Sequence, residues 1–192
     1  MQQVFLDVDT QIDFIYPTGA LSVPDATQIL PNLAALTQFA LAGQIPLIST
    51  ADAHLEDDAE FSQYAPHCVA GTFGANKVPE TLSAKAFRVG VGERAPAEWQ
   101  GQLILEKRSL DMFAQPSIAA LLESLNPDRF VVYGVVTEIC VMHAVEGLLR
   151  LGKSVTLLSD AIFALEASKA HDLITRWKLR GCSIAKTADI VA

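Results

Sequence analysis

Short apolar, β-branched runs alternate with amphipathic helical stretches along the whole chain, and this alternation limits the fold more than any other feature. Val4 to Val8 reads as a strand. Asp25 then reads as the cap of a helix whose apolar stripe is Ile29, Leu33, Leu36 and Ala40, with Gly43 closing it. Ile45–Thr50 and Leu103–Leu105 read as the second and third strands, the latter followed by a helix near Pro116 to Leu125. Phe130–Gly134 is a fourth strand, and its helix ends at Gly152. Ser154–Leu158 is a fifth. A helix bearing Ala170, Leu173, Ile174 and Trp177 stops at Gly181, before a short strand at Cys182–Ala185. A β-α-β rhythm of this kind predicts a three-layer α/β fold: about six parallel strands in the order 3-2-1-4-5-6, with helices on both faces. The 192 residues suit a single domain spanning 1–192.

In that strand order, strands 1 and 4 are neighbours, and the crevice beyond their carboxyl ends is where such sheets bind ligands. Asp9 follows strand 1, Asp52 and His54 follow strand 2, Lys107 follows strand 3 and Cys140 follows strand 4. The chemically capable side chains therefore collect on one rim. The segment from Asp52 to Gly101 is long and glycine- and proline-rich, and long loops in compact domains tend to carry function.

Cys140 ends the run Val131 to Val141. Thr137 reads as a helix N-cap there, and Val141, Val145, Leu148 and Leu149 form one helical face. A cysteine in the first turn of a helix meets unpaired N–H groups and the positive end of the dipole, which favour a thiolate nucleophile. The same residue also reads as a small buried hydrophobe. Asp7, Asp9 and Asp13 lie close together in Asp7-Val8-Asp9-Thr10-Gln11-Ile12-Asp13-Phe14. An acid beside a thiol can take its proton and return it to a leaving amine, although Asp at a strand end is also a turn former, a reading that suits Asp13. Lys107 is either a solvated surface charge or, beside an acid and a thiol, the cation that holds both charged. Asp52-Ala53-His54, Glu60 and His67 are ligand-type side chains suited to Zn²⁺, Fe²⁺ or Mn²⁺. Spacing alone leaves open which acid of a loop that also holds Glu56, Asp57 and Asp58 binds. Phe14 and Tyr64 border the crevice, where a flat ring ligand could stack. His143 and His171 fall on helices as packing or surface residues.

Composition removes several function classes. Half of the chain is apolar (51%), so it is no disordered chain, and the net charge is -8 with no Lys/Arg cluster, so nucleic acid is not an expected partner. No apolar run approaches a membrane span, and Asp7 and Asp9 arrive too early for a signal-peptide core. Three cysteines (68, 140 and 182) without a C-x-x-C pair point to a reducing, cytoplasmic setting.

Three ordered motifs carry a resemblance. Asp9-Thr10-Gln11-Ile12-Asp13-Phe14 looks like a D-x-Q-x-D-F element, Lys107 with Asp111 and Phe113 like K-x-x-x-D-x-F, and Gly134 to Val141 like G-x-x-T-[DE]-x-C-V. Together they are similar to the isochorismatase-like cysteine hydrolases along the whole chain. The resemblance implies a catalytic triad of Asp9, Lys107 and Cys140, an oxyanion hole from the N–H groups of Val136 and Cys140, and a cis peptide between Val135 and Val136. Asp52-x-His54 and Pro66-His67-Cys68-Val69-x-Gly71-Thr72 resemble the nicotinamidase/pyrazinamidase subgroup. That subgroup implies one divalent ion, Zn²⁺ before Fe²⁺ or Mn²⁺, held by Asp52, His54, Glu60 and His67. It also implies stacking of the substrate on Phe14 and Tyr64, and conversion of nicotinamide to nicotinate and ammonia through a thioester, a step of NAD salvage. Glu60 stands where many members carry His. The expected partner is a small amide, with a homo-oligomer possible. The alternatives are another C–N hydrolase of the superfamily acting on a carbamoyl or ureido substrate, a haloacid dehalogenase-type phosphatase using Asp7 with Ser49 or Thr50, Lys107 and Asp160, and a non-catalytic scaffold.

Overall fold

The computed structural model describes residues 2–96 and 98–192. Its strands are β1 (Gln3–Val8), β2 (Leu47–Asp52), β3 (Ala86–Val89), β4 (Gln102–Lys107), β5 (Arg129–Val135), β6 (Val155–Phe163) and β7 (Ser183–Ala185). They form one parallel sheet in the order β3-β4-β2-β1-β5-β6-β7. Without β3 this is the expected six-strand order. The added edge strand is four residues long with three exposed, so it shows neither the apolar run nor the clean alternation that marks a strand in sequence.

Helices α1 (Ile12–Ile15), α2 (Leu30–Ala42), α3 (Pro116–Ser124), α4 (Cys140–Arg150), α5 (Ala167–Leu179) and α6 (Ala188–Val191) complete the layers. Side chains alternate across the pleat. Val4, Leu6 and Val8 of β1 join Leu103, Leu105, Val132 and Leu157 in a core shared with Leu122 of α3, Val145 and Leu148 of α4 and Trp177 of α5. Phe5, Leu47, Val131, Tyr133 and Leu158 face the other way, against Leu33, Leu36 and Ala40 of α2 and Ile190 of α6. The chain after β1 thus packs its helix on one face and the chain after β5 on the opposite face. The adjacent strands β1 and β5 form the switch point, and a crevice opens beyond their carboxyl ends.

Two expected helix caps are absent. Helix α4 starts at Cys140 with Ile139 at its N-cap, and Thr137 instead donates its hydroxyl to Phe163 O (2.9 Å), tying the turn after β5 to the end of β6. Asp25 precedes a single 3₁₀ turn (Ala26–Ile29) in a left-handed conformation, and its side chain caps nothing. Gly134 is needed for its size. A Cβ there would stand 2.1 Å from Val8 O, where β5 crosses closest to β1 and its register with β6 shifts. The peptide between Val135 and Val136 is cis.

Candidate active site

Four neighbouring strands deliver one side chain each to the crevice. Asp9 leaves β1 with φ 50°, in the left-handed region that Asp tolerates better than most residues. Its carboxylate is fully buried, accepts from Thr50 Oγ1 at 2.6 Å and lies 2.9 Å from Lys107 Nζ. Lys107 is the last residue of β4, with Asp52, the last of β2, as its direct register partner. Its ammonium reaches Asp52 Oδ1 (2.5 Å), the Ser109 carbonyl (3.1 Å) and Cys140 Sγ (3.7 Å). Cys140, 7% exposed, places its sulfur where α4 begins.

Burial sets the proton affinities. It works against the Lys107 ammonium, but Asp52 and Asp9 hold that group well above its ordinary value. Burial pushes the Asp52 carboxyl to about 7, with Lys107 opposing and Asp9 adding. It also pushes the Cys140 thiol well above its usual range; Lys107 opposes, while Asp9 and Asp52 reinforce the rise. Desolvation and the two nearby carboxylates thus work against the thiolate that the helix terminus and Lys107 favour.

A second group adjoins the first. Asp52 turns its other oxygen, Oδ2, toward His54 Nε2 at 3.9 Å. Glu60 Oε1 is 3.9 Å from the same nitrogen and 3.7 Å from His67 Nε2. His54 Nε2 and Glu60 Oε1 are buried without a hydrogen-bond partner, an unfavourable arrangement for polar atoms unless a ligand serves them. Both outer imidazole nitrogens are engaged by acceptors: His54 Nδ1 by Asp58 Oδ2 (3.0 Å) and His67 Nδ1 by the Ala65 carbonyl (2.7 Å). Each ring thus points its Nε2 lone pair inward. Burial lowers the proton affinity of His67, which favours the neutral, ligating form. Donor atoms of Asp52, His54 and His67 all lie within 4.8 Å of one another, and Glu60 Oε1 lies 3.7–3.9 Å from both imidazole nitrogens, a donor set whose chemistry fits a Zn²⁺-type ion. Glu56 and Asp57 are exposed, which leaves Asp52 and Glu60 as the acids of the set.

Above the sulfur is a cavity of about 90 Å³ bordered by Phe14, Tyr64, Glu60, His67, Ile139 and Leu165. The Phe14 ring is 5.3 Å from the His67 ring and the Tyr64 ring 6.4 Å from it, centroid to centroid. No Lys or Arg lines the cavity among the described residues. On its floor, the N–H groups of Thr137, Ile139 and Val141 bond to backbone carbonyls, whereas those of Val136 and Cys140 have no such partner.

A family model described as the isochorismatase domain matches residues 3–189. The chain belongs to the isochorismatase domain family. It is 26% identical over 153 residues to an N-carbamoylsarcosine amidase from Arthrobacter sp (77% of this chain, 54% of that protein). It is 28% identical over 171 residues to a streptothricin hydrolase from Streptomyces noursei (89% and 53%). The chain thus spans about half the length of the curated relatives it matches. Among solved structures it resembles a pyrazinamidase from Pyrococcus horikoshii in complex with zinc, with a TM-score of 0.79, 25% identity, and coverage of 97% of this chain and 99% of that one.

Membership of the isochorismatase family displaces the phosphatase alternative, and so does the setting of Asp7. That carboxylate is fully buried on the sheet, 2.7 Å from Lys77 Nζ, and accepts from Thr10 and Ser49 hydroxyls. No substrate reaches it. Asp7 and Asp9 do not act as a pair: one ties to Lys77, the other to Lys107. Asp160 holds Thr187 through its N–H and hydroxyl, away from the crevice. Asp13 proves to be a structural clamp, accepting from Cys68 N (2.7 Å) and Ala20 N (2.9 Å) and so fixing the backbone beside His67. His143, in α4, is 3.9 Å from Asp111, and His171 lies on α5. Gln11 escaped the sequence reading. Its amide donates to Asp52 O and Ala75 O and accepts from Asp52 N, stitching the end of β2 to the long loop. Its place inside the D-x-Q-x-D-F element was the available signal. Among the described residues no helix is long and apolar enough to cross a membrane.

Proposed function

We propose that this chain is a cysteine amidohydrolase that converts nicotinamide to nicotinate and ammonia. The observation that carries the reading is the convergence of Cys140 Sγ, Lys107 Nζ and Asp9 beneath a small apolar cavity whose wall presents Glu60 and His67. Phe14 and Tyr64 would hold a flat ring, and the cavity's size suits one ring rather than a large ligand. Asp9 takes the Cys140 proton as the sulfur attacks the carboxamide carbon. The unpaired N–H groups of Val136 and Cys140 receive the developing oxyanion, an interaction worth roughly 2.7–4 kcal/mol per donor. Asp9 returns the proton to the leaving ammonia, which produces a thioester on Cys140. Water activated by Asp9 then cleaves the thioester, releasing nicotinate and restoring the thiol. Lys107, 2.9 Å from the Asp9 carboxyl group, holds it in place beside the sulfur. Asp52, His54, Glu60 and His67 would hold a divalent ion, which supplies a Lewis-acidic anchor for a heteroatom of the substrate.

The relationship to an N-carbamoylsarcosine amidase favours a second reading, a ureido substrate cleaved by the same three residues. An N-carbamoyl amino acid carries a carboxylate, and the cavity lining offers no cationic side chain to meet it. With a divalent ion, the charges of Asp52 and Glu60 are balanced, an environment that suits a neutral ligand. Ammonia release from nicotinamide, pyrazinamide and a panel of N-carbamoyl amino acids tests the choice. Turnover of the pyridine carboxamide, lost in Cys140→Ala, is the expected result. Turnover confined to the ureido compounds would overturn the substrate, and ammonia release retained by Cys140→Ala would overturn the nucleophile.

A further inference from the structure

Of the two candidate histidine ligands, His54 is the one whose outer nitrogen is held by another side chain. His67 has its outer nitrogen fixed by a backbone carbonyl, Ala65 O, which no substitution removes. The outer nitrogen of His54 faces Asp58 Oδ2 at 3.0 Å, four residues along the chain. Asp58 sits in the turn before the 3₁₀ segment Ala59–Ser62 that carries Glu60. Its backbone bonds (Asp58 N to Leu55 O, Phe61 N to Asp58 O) hold that turn on their own account. The carboxylate's foremost partner is the His54 ring, followed by the backbone N–H groups of Glu60 and Leu55. An ionised carboxylate only accepts hydrogen bonds, so it requires a proton on His54 Nδ1 and leaves the buried Nε2 as a lone pair aimed toward Asp52 and Glu60.

We infer that Asp58 is a positioning residue for divalent-cation binding: it fixes the tautomer and tilt of His54 by accepting from its outer nitrogen. The inference rests on the metal-binding part of the function proposed above. Partners of this kind commonly account for 10–100-fold in metal affinity. Neighbouring acids Glu56 and Asp57 are exposed and take no such part.

Metal-free protein, prepared by chelation, is titrated with Zn²⁺ in competition with a chromophoric chelator, and the ¹⁵N shifts of the His54 ring are recorded without metal. Asp58→Ala should weaken Zn²⁺ binding about 10–100-fold and shift the His54 ring from one tautomer to a mixture. Asp58→Asn, which keeps an acceptor oxygen, should retain most of the affinity and the single tautomer. Asp58→Ser, too short to reach the ring, takes the place of the alanine variant should that fail to fold. Wild-type affinity and an unchanged ring spectrum in the alanine or serine variant would overturn the role of Asp58 and leave the metal site standing. An asparagine variant as weak as alanine would overturn the acceptor role. A wild-type protein that takes up no Zn²⁺ would refute the metal site itself, and the inference with it. None of these readouts depends on turnover.

Discussion

Replacing Asp9 with Asn should separate two properties that a thiol enzyme normally shows together. The side chains are nearly isosteric, and the Asn carbonyl can still accept from Thr50 Oγ1, so the local structure survives. The charge does not. One oxygen of Asp9 and one of Asp52 lie within 4.8 Å of Cys140 Sγ, and the Lys107 ammonium lies 3.7 Å from it. At an effective dielectric of about 20, each carboxylate opposes a thiolate by at least about 3.5 kcal/mol, while the ammonium favours it by about 4.5 kcal/mol. With both acids present the repulsion, about 7 kcal/mol, wins, in line with the raised proton affinity of the thiol. With Asn at position 9 only one carboxylate still opposes the ammonium, so the repulsion at sulfur falls by at least about 3.5 kcal/mol. The local field at sulfur shifts toward the thiolate, and the thiol should ionise at lower pH than in the wild type. Turnover should move the other way, because loss of the general acid–base typically costs 10²–10⁴-fold, or about 3–5 kcal/mol in the barrier. The assay pairs ammonia release with the pH profile of iodoacetamide alkylation, the modified residue being located by mass spectrometry. Asp9→Asn should be slow in the first and show its alkylation midpoint at lower pH in the second. An unchanged or raised midpoint would refute the field argument, and turnover within tenfold of wild type would refute the proton-transfer role.

Two further predictions concern the scaffold beneath the site. Lys77 and Asp7 form a buried ion pair, so Lys77→Met should destabilise the fold by about 3–5 kcal/mol, because it strands a carboxylate. With a urea slope of about 2 kcal/mol/M, the midpoint drops by roughly 1.5–2.5 M; adding Asp7→Asn should recover much of the loss, and a single-variant shift below about 0.5 M would show the pair to be dispensable. Gly74→Ala would put a Cβ 2.0 Å from Asp13 Oδ1, displacing the clamp on Cys68 N. Chemical denaturation should show a loss of about 1–3 kcal/mol, and Zn²⁺ titration weaker binding through the shifted His67; wild-type behaviour in both would mean that Asp13 yields without moving the ligand loop.

The strand order and the gathering of Asp9, Asp52, Lys107 and Cys140 on one rim were legible in the sequence because both follow from local periodicity and from the rule for ligand sites in parallel sheets. What escaped depends on contacts between distant residues. The pairing of Asp7 with Lys77 joins β1 to the middle of the long loop, 70 residues along the chain, and leaves no local pattern. The raised proton affinity of Cys140 comes from burial and from carboxylates of two other strands, and the cysteine's position on its own helix reports neither. Thr137 looks like a cap because its type and place are right, yet the end of β6 takes its hydroxyl. Strand β3 is short, mostly exposed and at an edge, where hydrophobic patterning is weakest. Among the acids of the Glu56–Glu60 stretch, spacing left the choice open, and only the turn geometry brings Glu60 inward while Glu56 and Asp57 face solvent.

Asp52 and Lys107 face each other because β2 and β4 pair residue for residue, from Leu47 opposite Gln102 to the strand ends. The contact between Asp52 and the Lys107 ammonium beside Cys140 is thus written into the hydrogen-bond ladder of two neighbouring strands. A slip of one residue along that ladder would send Lys107 to the opposite face of the sheet and empty the crevice of its cation. A chain that closes its core with these strands misaligned would scatter the gathered side chains as well as pack badly, so proofreading of the fold and proofreading of the crevice are the same event.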